Sequence, residues 1–322
     1  MANSRTIKEI NVNSIRNALF KKKDLSKSEI SKITNLSFPT VSTVLEYLID
    51  KEEVKEEGLK ESIGGRCSKK YILNPLYKVS LLICLEGDTL EWKIIDYCET
   101  IIEEGLEDTK GDILLKIEEL IIKKKENYDN LYGITIGVAS IIKDGRFLSD
   151  IEYKELKGVD VEEYLFNKFN LPTNIDNDLN IVARGYIKRK SLENGETVVN
   201  IYIGDNGIGA SLIIGGKVFK GMSNFAGEIT FLPILENEKD RFKDIDMITY
   251  YSKVILSYIS IINPNEVVLY NNEYLSEGIE KIEDYLKKKV TKEVIPRIIL
   301  SNEFKKDYEV GLIEISKELI KN

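Results

Sequence analysis

Residues 25–57 read LSKSEISKITNLSFPTVSTVLEYLIDKEEVKEE. Ser26 followed three residues later by Glu29 is a capping box, and it opens a short helix near residues 27–33. Ile30 and Ile33 are expected to point inward from that helix. Asn35 tolerates positive φ and supplies a turn. Ser37 then caps a second helix with Pro39 in its first turn, where a missing N–H costs nothing. Val41, Val44, Leu45 and Leu48 make the apolar stripe of this helix. The stripe leaves Ser37, Phe38, Pro39, Thr40, Ser42 and Thr43 near an exposed N-terminal end. A helix-turn-helix sends that end of its second helix into the major groove. There hydroxyls reach phosphates or base edges, and small residues let the backbone approach.

The flanks fit the same reading. Ile15, Leu19 and Phe20 share one face of a helix over 14–20, followed by the basic run Lys21–Lys23. Downstream, Val54 begins a strand. Glu56-Glu57-Gly58 and Gly64-Gly65 suggest a hairpin tip, and Tyr71-Ile72-Leu73 returns. This is a wing, with Lys60, Arg66, Lys69 and Lys70 placed on it as phosphate or minor-groove ligands. Residues 1–80 carry 15 Lys/Arg against 10 Asp/Glu, a net +5, while the rest of the chain is −13. A basic head on an acidic body points to a polyanion that meets the head alone. The acidic stretch Glu52–Glu61 limits the number of phosphate contacts. Short helix pairs also serve as small bundles for protein contacts, and the wing and local charge favour DNA over that reading.

With 322 residues, 43% hydrophobic and 31% charged, the chain is long enough for sizeable cores in two or three domains. It has no run of eighteen apolar residues and no apolar signal core at its N-terminus, so no transmembrane helix and no secretion are expected and a cytoplasmic location is the expectation. Cys67, Cys84 and Cys98 are too scattered for a disulfide scaffold. Histidine is absent, which excludes Ser-His-Asp and Cys-His nucleophile systems and HExxH zinc chemistry.

From Lys78 onward, strands alternate with helices. VSLLICLEG, LEWKIID and ETIIEEG suggest a meander, ILLKIEELIIKKKEN an amphipathic helix, and LYGITIGVASII a buried strand. VEEYLFNKFN and LNIVARGYIKRK read as helices on either side of the strand LPTNIDND. ETVVNIYIGDNGIGASLIIGGKVFKG reads as a strand pair with glycine turns. Beyond residue 245 the pattern is helical with one strand at EVVLYN, and no internal repeat is evident. The pattern indicates an α/β body of two lobes. Two segments carry possible chemistry. Asp176-Asn177-Asp178-Leu179-Asn180 sits at a strand end, where α/β folds bind ligands, yet Asp and Asn also simply cap helices. Gly204–Ser211 reads either as a phosphate-cradling loop or as a hairpin turn at Asn206-Gly207, and no Walker motif follows.

The winged helix-turn-helix with LSFPTVSTVLEYLI and a Gly-Gly-Arg wing, then NDLN, then GIGASLIIGGKVFKG and FAGEI, resembles the ROK family of repressors and sugar kinases, in its transcriptional-repressor branch. The resemblance implies an actin-like sugar-kinase body whose two lobes flank a sugar cleft. It implies domains at 1–72 (winged helix-turn-helix), 73–180 (first lobe) and 181–322 (second lobe), with the C-terminal helix packing back on the first lobe. Asn177 and Asp178 match the family's Asn-Asp pair, where Asp is the base in active kinases, and Glu228 matches a sugar-binding Glu. The phosphate motifs depart from the family. Glu86-Gly87-Asp88-Thr89 stands where an Asp and Gly-Gly-Thr are expected, Asp205 and Asn206 occupy the second loop, and VVLYNNE lacks a Gly-Gly pair. Gly137-Val138 replaces a Pro-Gly pair, Phe231 replaces a zinc-binding His, and no cysteine follows Cys98.

The expected protein is therefore a sequence-specific transcriptional regulator, a repressor, with no catalytic residues, cofactor or metal. Its partners would be a double-stranded DNA operator and a sugar or sugar-phosphate effector held by Asn177, Asp178 and Glu228. It would work as a homodimer or dimer of dimers. The rival readings are a ligand-independent regulator with a scaffold body, and an active sugar kinase.

Overall fold

The computed structural model describes residues 4–60, 68–148, 153–204, 207–234, 246–270, 275 and 278–320. The chain divides into two compact units. The first comprises Met1–Ser80, Lys93–Glu104 and Lys124–Tyr132, and the second Leu81–Trp92, Gly105–Lys123 and Gly133–Asn322.

The first unit begins with α1 (Ser4–Lys21), β1 (Leu25–Ser26), α2 (Lys27–Thr34), α3 (Phe38–Asp50), β2 (Val54–Lys60) and β3 (Ser68–Leu73). The local chemistry of the sequence is realised. Ser26 and Glu29 form both halves of the capping box, Asn35 sits at φ 56°, and Ser37 caps α3 ahead of Pro39. The turn is sewn by Ser31 Oγ donating to the Leu36 carbonyl at 2.6 Å and Thr34 Oγ1 to that of Ile30 at 2.7 Å. Ile15, Leu19, Ile30, Val41, Leu45 and Leu48 make the core. Ile33 does not join it and is 43% exposed, because the two turns of α2 bury only the stripe around Ile30. The first helix starts ten residues earlier than its apolar positions suggested, and Lys8 Nζ lies over the Tyr47 ring at 4.2 Å from its centroid. β2 and β3 pair antiparallel with a bulge at Gly58, and β1 joins their far side in the order β1-β3-β2.

Within this unit the buried carboxylate of Glu53 collects three donors. Arg16 binds it through two nitrogens at 2.5 and 2.8 Å, and Tyr97 Oη donates to it at 2.8 Å. The Tyr97 ring packs against Phe20 and Tyr77 at 5.3 and 5.2 Å between centroids. Burial and the Glu53 charge push the Tyr97 phenol far up, so it stays a donor.

The rest of the chain continues with β4 (Val79–Glu86), β5 (Thr89–Ile95), β6 (Ile101–Asp108), α4 (Ile113–Asn127) and β7 (Leu131–Val138). The short pair β8 (Ile142–Lys143) and β9 (Arg146–Phe147) leads to α5 (Val161–Phe169), β10 (Thr173–Asn177) and α6 (Asp178–Lys190). Next come β11 (Val198–Gly204), β12 (Gly207–Ile214), β13 (Lys217–Phe219), α7 (Met247–Ile262), β14 (Glu266–Tyr270), α8 (Ile279–Lys287), β15 (Arg297–Ser301) and α9 (Phe304–Ile320). The expected meander is β4-β5-β6. The glycine-rich segment is a second meander, β11-β12-β13, rather than a strand pair. Arg297–Ser301 adds a parallel strand that the sequence pattern missed.

The sheet orders are β6-β5-β4-β7-β10 and β13-β12-β11-β14-β15. Each is a three-strand meander extended on its first strand by two more strands reached through helices, and each run ends in a helix, α6 or α9. The architecture is thus a duplicated actin-like α/β unit, although no repeat is visible in the residues. The second sheet's core of Val199, Ile201, Tyr251, Val254, Ile255 and Leu269 is closed by α7 and α8. α6 and α9 cross at glycines on both sides. A Cβ on Gly185 would lie 1.7 Å from the Asp307 carbonyl oxygen, and one on Gly311 1.9 Å from that of Ile181.

Candidate functional site

On the first unit, the capped end of α3 points its residues outward. Phe38 is 53% exposed, Ser37, Pro39 and Thr43 are exposed, and Thr40 and Ser42 are half-buried. The Ser37 hydroxyl shares a 2.8 Å hydrogen bond with Thr40 Oγ1, whereas Thr43 is exposed and its hydroxyl makes no hydrogen bond to another described residue. Lys69 on β3 is exposed and pairs with Glu56 at 2.7 Å. Lys70, expected beside it as a surface ligand, is instead buried. Its neighbour in the β1–β3 register is Ser26, and its ammonium reaches Glu29 at 3.0 Å. Hydrogen bonds from Ser26 and this lysine hold the Glu29 carboxyl down to about 2. The side chain of Lys60 and all of Arg66 lie outside the described residues. A hollow of about 290 Å³ opens between Ser26, Lys27, Ser28, Phe38, Lys69 and Tyr71. The sequence reading missed Lys27 and Ser28. They stand at the start of α2.

On the second unit, three segments converge. Asn177 caps α6, its Oδ1 accepting from Leu179 N at 3.0 Å and Asn180 N at 3.2 Å, while its Nδ2 donates to the Ser140 carbonyl. Asp178 is half-buried, and its Oδ1 accepts from Leu179 N at 2.7 Å. Glu228 approaches through the sheet edge. Beyond the end of β13, Gly227 takes over as the neighbour of β12, accepting from Ala210 N at 2.9 Å. Gly227 is at φ 104°, and a Cβ there would lie 2.0 Å from the Ala210 carbonyl, so only glycine fits. Leu179 packs over the adjoining Gly209. One short stretch of β12 thereby gathers the start of α6 and Glu228.

Two ties hold the loop that carries Glu228. Asn224 Nδ2 donates to the Ile142 carbonyl, and Lys220 reaches the buried Asp176 carboxylate, both at 2.6 Å. Neither Lys220 nor Asn224 gave a sequence signal, because their partners lie 44 and 82 residues away.

Glu228 differs from Asn177 in one respect. Its half-buried carboxylate makes no hydrogen bond to another described residue, and burial raises its pKa above the ordinary value. A raised carboxyl stabilises the fold only at low pH, and the contribution is lost as pH rises through the ordinary and then the folded pKa. Glu228→Gln is therefore expected to raise the melting temperature at pH 7 by about 1–2 °C. The gain should vanish near pH 4, as a scanning fluorimetry series over pH would record. A lower melting temperature at pH 7 would mean that the carboxylate is paired.

Two segments that the resemblance aligned with phosphate motifs carry contacts of their own. The hairpin tip at Gly87 closes on itself. Thr89 Oγ1 donates to Glu86 O at 2.7 Å, Thr109 Oγ1 to Gly87 O at 3.1 Å and Thr109 N to Asp88 O at 2.9 Å. Phe304, opening α9, stacks on Tyr202 near the end of β11 at 3.8 Å between centroids and abuts Tyr270 at the end of β14. Asp205 and Asn206 lie outside the described residues. The positions where the resemblance implied zinc ligands carry other residues. The chain has no histidine, exposed Phe231 stands at the expected His position, and burial pushes Cys84 up to about 12 and Cys98 to about 11. Cys67 lies outside the described residues, and no described helix is long and apolar enough to cross a membrane.

Comparison with known proteins gives this arrangement a context. The model of the ROK family matches residues 82–240. The xylose repressor of Bacillus spizizenii is 26% identical over 242 residues, covering 73% of this chain and 63% of that protein. The xylose repressor of Caldicellulosiruptor bescii is 30% identical over 241 residues, covering 71% of this chain and 60% of that protein. The matched part thus spans less than two thirds of either relative. Among solved structures, a ROK family transcriptional regulator described as a homologue of E. coli Mlc superposes with a TM-score of 0.70 at 17% identity. The superposition covers 98% of this chain and 97% of that one.

Proposed function

From a chain whose residues 82–240 form a ROK family domain, we propose a DNA-binding transcriptional repressor that releases its operator in response to a sugar or sugar phosphate. The observation that carries the reading is the α2–Asn35–α3 unit, with the N-terminal end of α3 exposed beside the β2–β3 hairpin. The proposal gives residues 1–72 the role of a winged helix-turn-helix, with 73–180 and 181–322 as the lobes of a sensing body. α3 enters the major groove with Phe38, Pro39, Thr40, Ser42 and Thr43. Lys60, Arg66 and Lys69 meet the backbone, and Lys27 and Ser28 join them. Asn177, Asp178 and Glu228 take the hydroxyls of the effector, with Asp178 as acceptor rather than base. A cytoplasmic homodimer or dimer of dimers sets the spacing of two recognition helices, and effector binding shifts the population toward a spacing that no longer fits. The similarity of the two xylose repressors supports this reading.

Phosphoryl transfer from ATP is the rival that Asp178 suggests. The self-closed Gly87 tip and the Phe304–Tyr202 stack oppose it, because such transfer depends on positioned phosphates and metal. An ATP-transfer assay over a panel of hexoses tests the rival directly.

The DNA reading is tested with the full chain and a duplex selected from a random-sequence library. Anisotropy titrations should show tighter binding to the selected duplex than to its scrambled form, with affinity falling steeply with salt. Equal affinity for the two would overturn the proposal. Glu56 gives a further test. It neutralises Lys69 and repels phosphate, so Glu56→Gln is expected to strengthen binding to both duplexes by about threefold to tenfold. Weaker binding by that variant would remove Lys69 from the interface.

A further inference from the structure

Away from the Asn177–Glu228 region, a hollow of about 420 Å³ opens between α6, α9 and the turn joining β12 to β13. Its volume is that of a small-ligand site. Arg184 and Lys188 line it from α6, Lys217 and Lys220 from the hairpin side, and Glu314 and Glu318 from α9. Four cations face two carboxylates, a net +2, in a chain that is −13 beyond residue 80.

The charges are unequally engaged. Glu318 takes Arg184 at 2.9 Å, and Glu314 takes Lys317 at 2.5 Å and Lys188 at 3.3 Å. Lys220 turns to Asp176. Lys217 has no carboxylate partner among the described residues, and Arg184 Nε is buried without an acceptor. Cations at the end of α6 would satisfy its dipole, which accounts for Lys188, and Asp176 accounts for Lys220, but neither accounts for Lys217. Lys217 directly follows a tight glycine turn. Gly215 and Gly216 sit at φ 61° and 73°, and a Cβ on Gly216 would lie 2.6 Å from the Glu193 carbonyl.

We propose that this hollow binds the phosphoryl group of a small phosphate ester or of free phosphate, gripped by Lys217 and Lys188 and reached by Arg184 and Lys220. A dianion with several acceptor oxygens matches ammonium and guanidinium donors arriving from two elements. Drawing Lys220 toward it loosens Asp176, whose Oδ1 accepts from Asn177 N at 2.9 Å, so the ligand acts on the turn that opens α6.

Calorimetry on the full-length protein at fixed ionic strength tests this with glycerol 3-phosphate, inorganic phosphate and glycerol. Glycerol 3-phosphate should bind saturably, and glycerol should not bind. The exposed double variant Lys188→Ala, Lys217→Ala should weaken binding about tenfold or more while leaving the melting temperature within about 2 °C. Inorganic phosphate binding as tightly as the ester would identify free phosphate as the ligand of the site, and weaker binding would identify an ester. Absence of saturation with both, or unchanged affinity in the double variant, would overturn the proposal.

Discussion

Gly185→Ala is expected to lower the melting temperature by about 4–8 °C. Two effects oppose each other at this position. Alanine is the better helix former by about 1 kcal/mol. Against that, its Cβ would sit 1.7 Å from the Asp307 carbonyl oxygen, a backbone atom that no side-chain rotation moves aside. Asp307 is itself pinned, since Arg189 binds both of its carboxylate oxygens at 2.6 and 2.9 Å and Tyr270 Oη donates to it at 2.8 Å. The helices must separate locally, and overpacking against a fixed neighbour costs about 3 kcal/mol or more. For a chain of this length each kcal/mol moves the melting temperature by about 2–4 °C. The contact is reciprocal. Gly311 meets the carbonyl of Ile181 four residues before Gly185, and Gly185 meets that of Asp307 four residues before Gly311. Gly311→Ala should therefore give a similar loss. An unchanged melting temperature in both variants, by scanning calorimetry, would mean that the α6–α9 crossing is looser than described.

That crossing marks the limit of what the residues alone disclose. The head was legible because its determinants are local. A capping box, an αL asparagine and a capped proline each act within four residues, and the apolar stripe of α3 follows helical period. Ile33 and Lys70 were misplaced because their positions depend on neighbours from other elements: the size of the face that α2 buries, and the register of β1 on β3. The duplicated sheet order was invisible for a related reason. Strand order lives in hydrogen bonds between distant segments, and two sheets can share it with no residues in common. Arg297–Ser301 was missed because a five-residue parallel strand carries little alternation of its own. In the candidate effector region, Asn177 and Asp178 were singled out by their place at a strand end and by resemblance, and Glu228 by resemblance alone. The ties that position them, Lys220 to Asp176 and Asn224 to Ile142, were not, because nothing local distinguishes a lysine that bridges 44 residues from one in solvent.

The exposed end of α3 supports a second large effect, in which Thr43 and Thr40 part company. Both carry hydroxyls on the face assigned to the major groove, but Thr40 Oγ1 is already hydrogen-bonded to the cap at Ser37, whereas Thr43 is exposed one turn further on. A base-edge contact discriminates by about 1–3 kcal/mol, and a hydroxyl must be unengaged to make one without first breaking another bond. Thr43→Ala is expected to weaken binding to the selected duplex about tenfold or more, and Thr40→Ala by about threefold. The double variant should lose roughly 30- to 100-fold. Binding to scrambled DNA should change by less than about twofold, because neither hydroxyl carries charge and the phosphate term is untouched. The slope of affinity against salt should also be preserved. Parallel anisotropy titrations on both duplexes at two salt concentrations separate the outcomes. An equal loss on selected and scrambled DNA would show that these threonines position the backbone and do not read sequence. No loss on either would place the groove-facing surface elsewhere on the first unit.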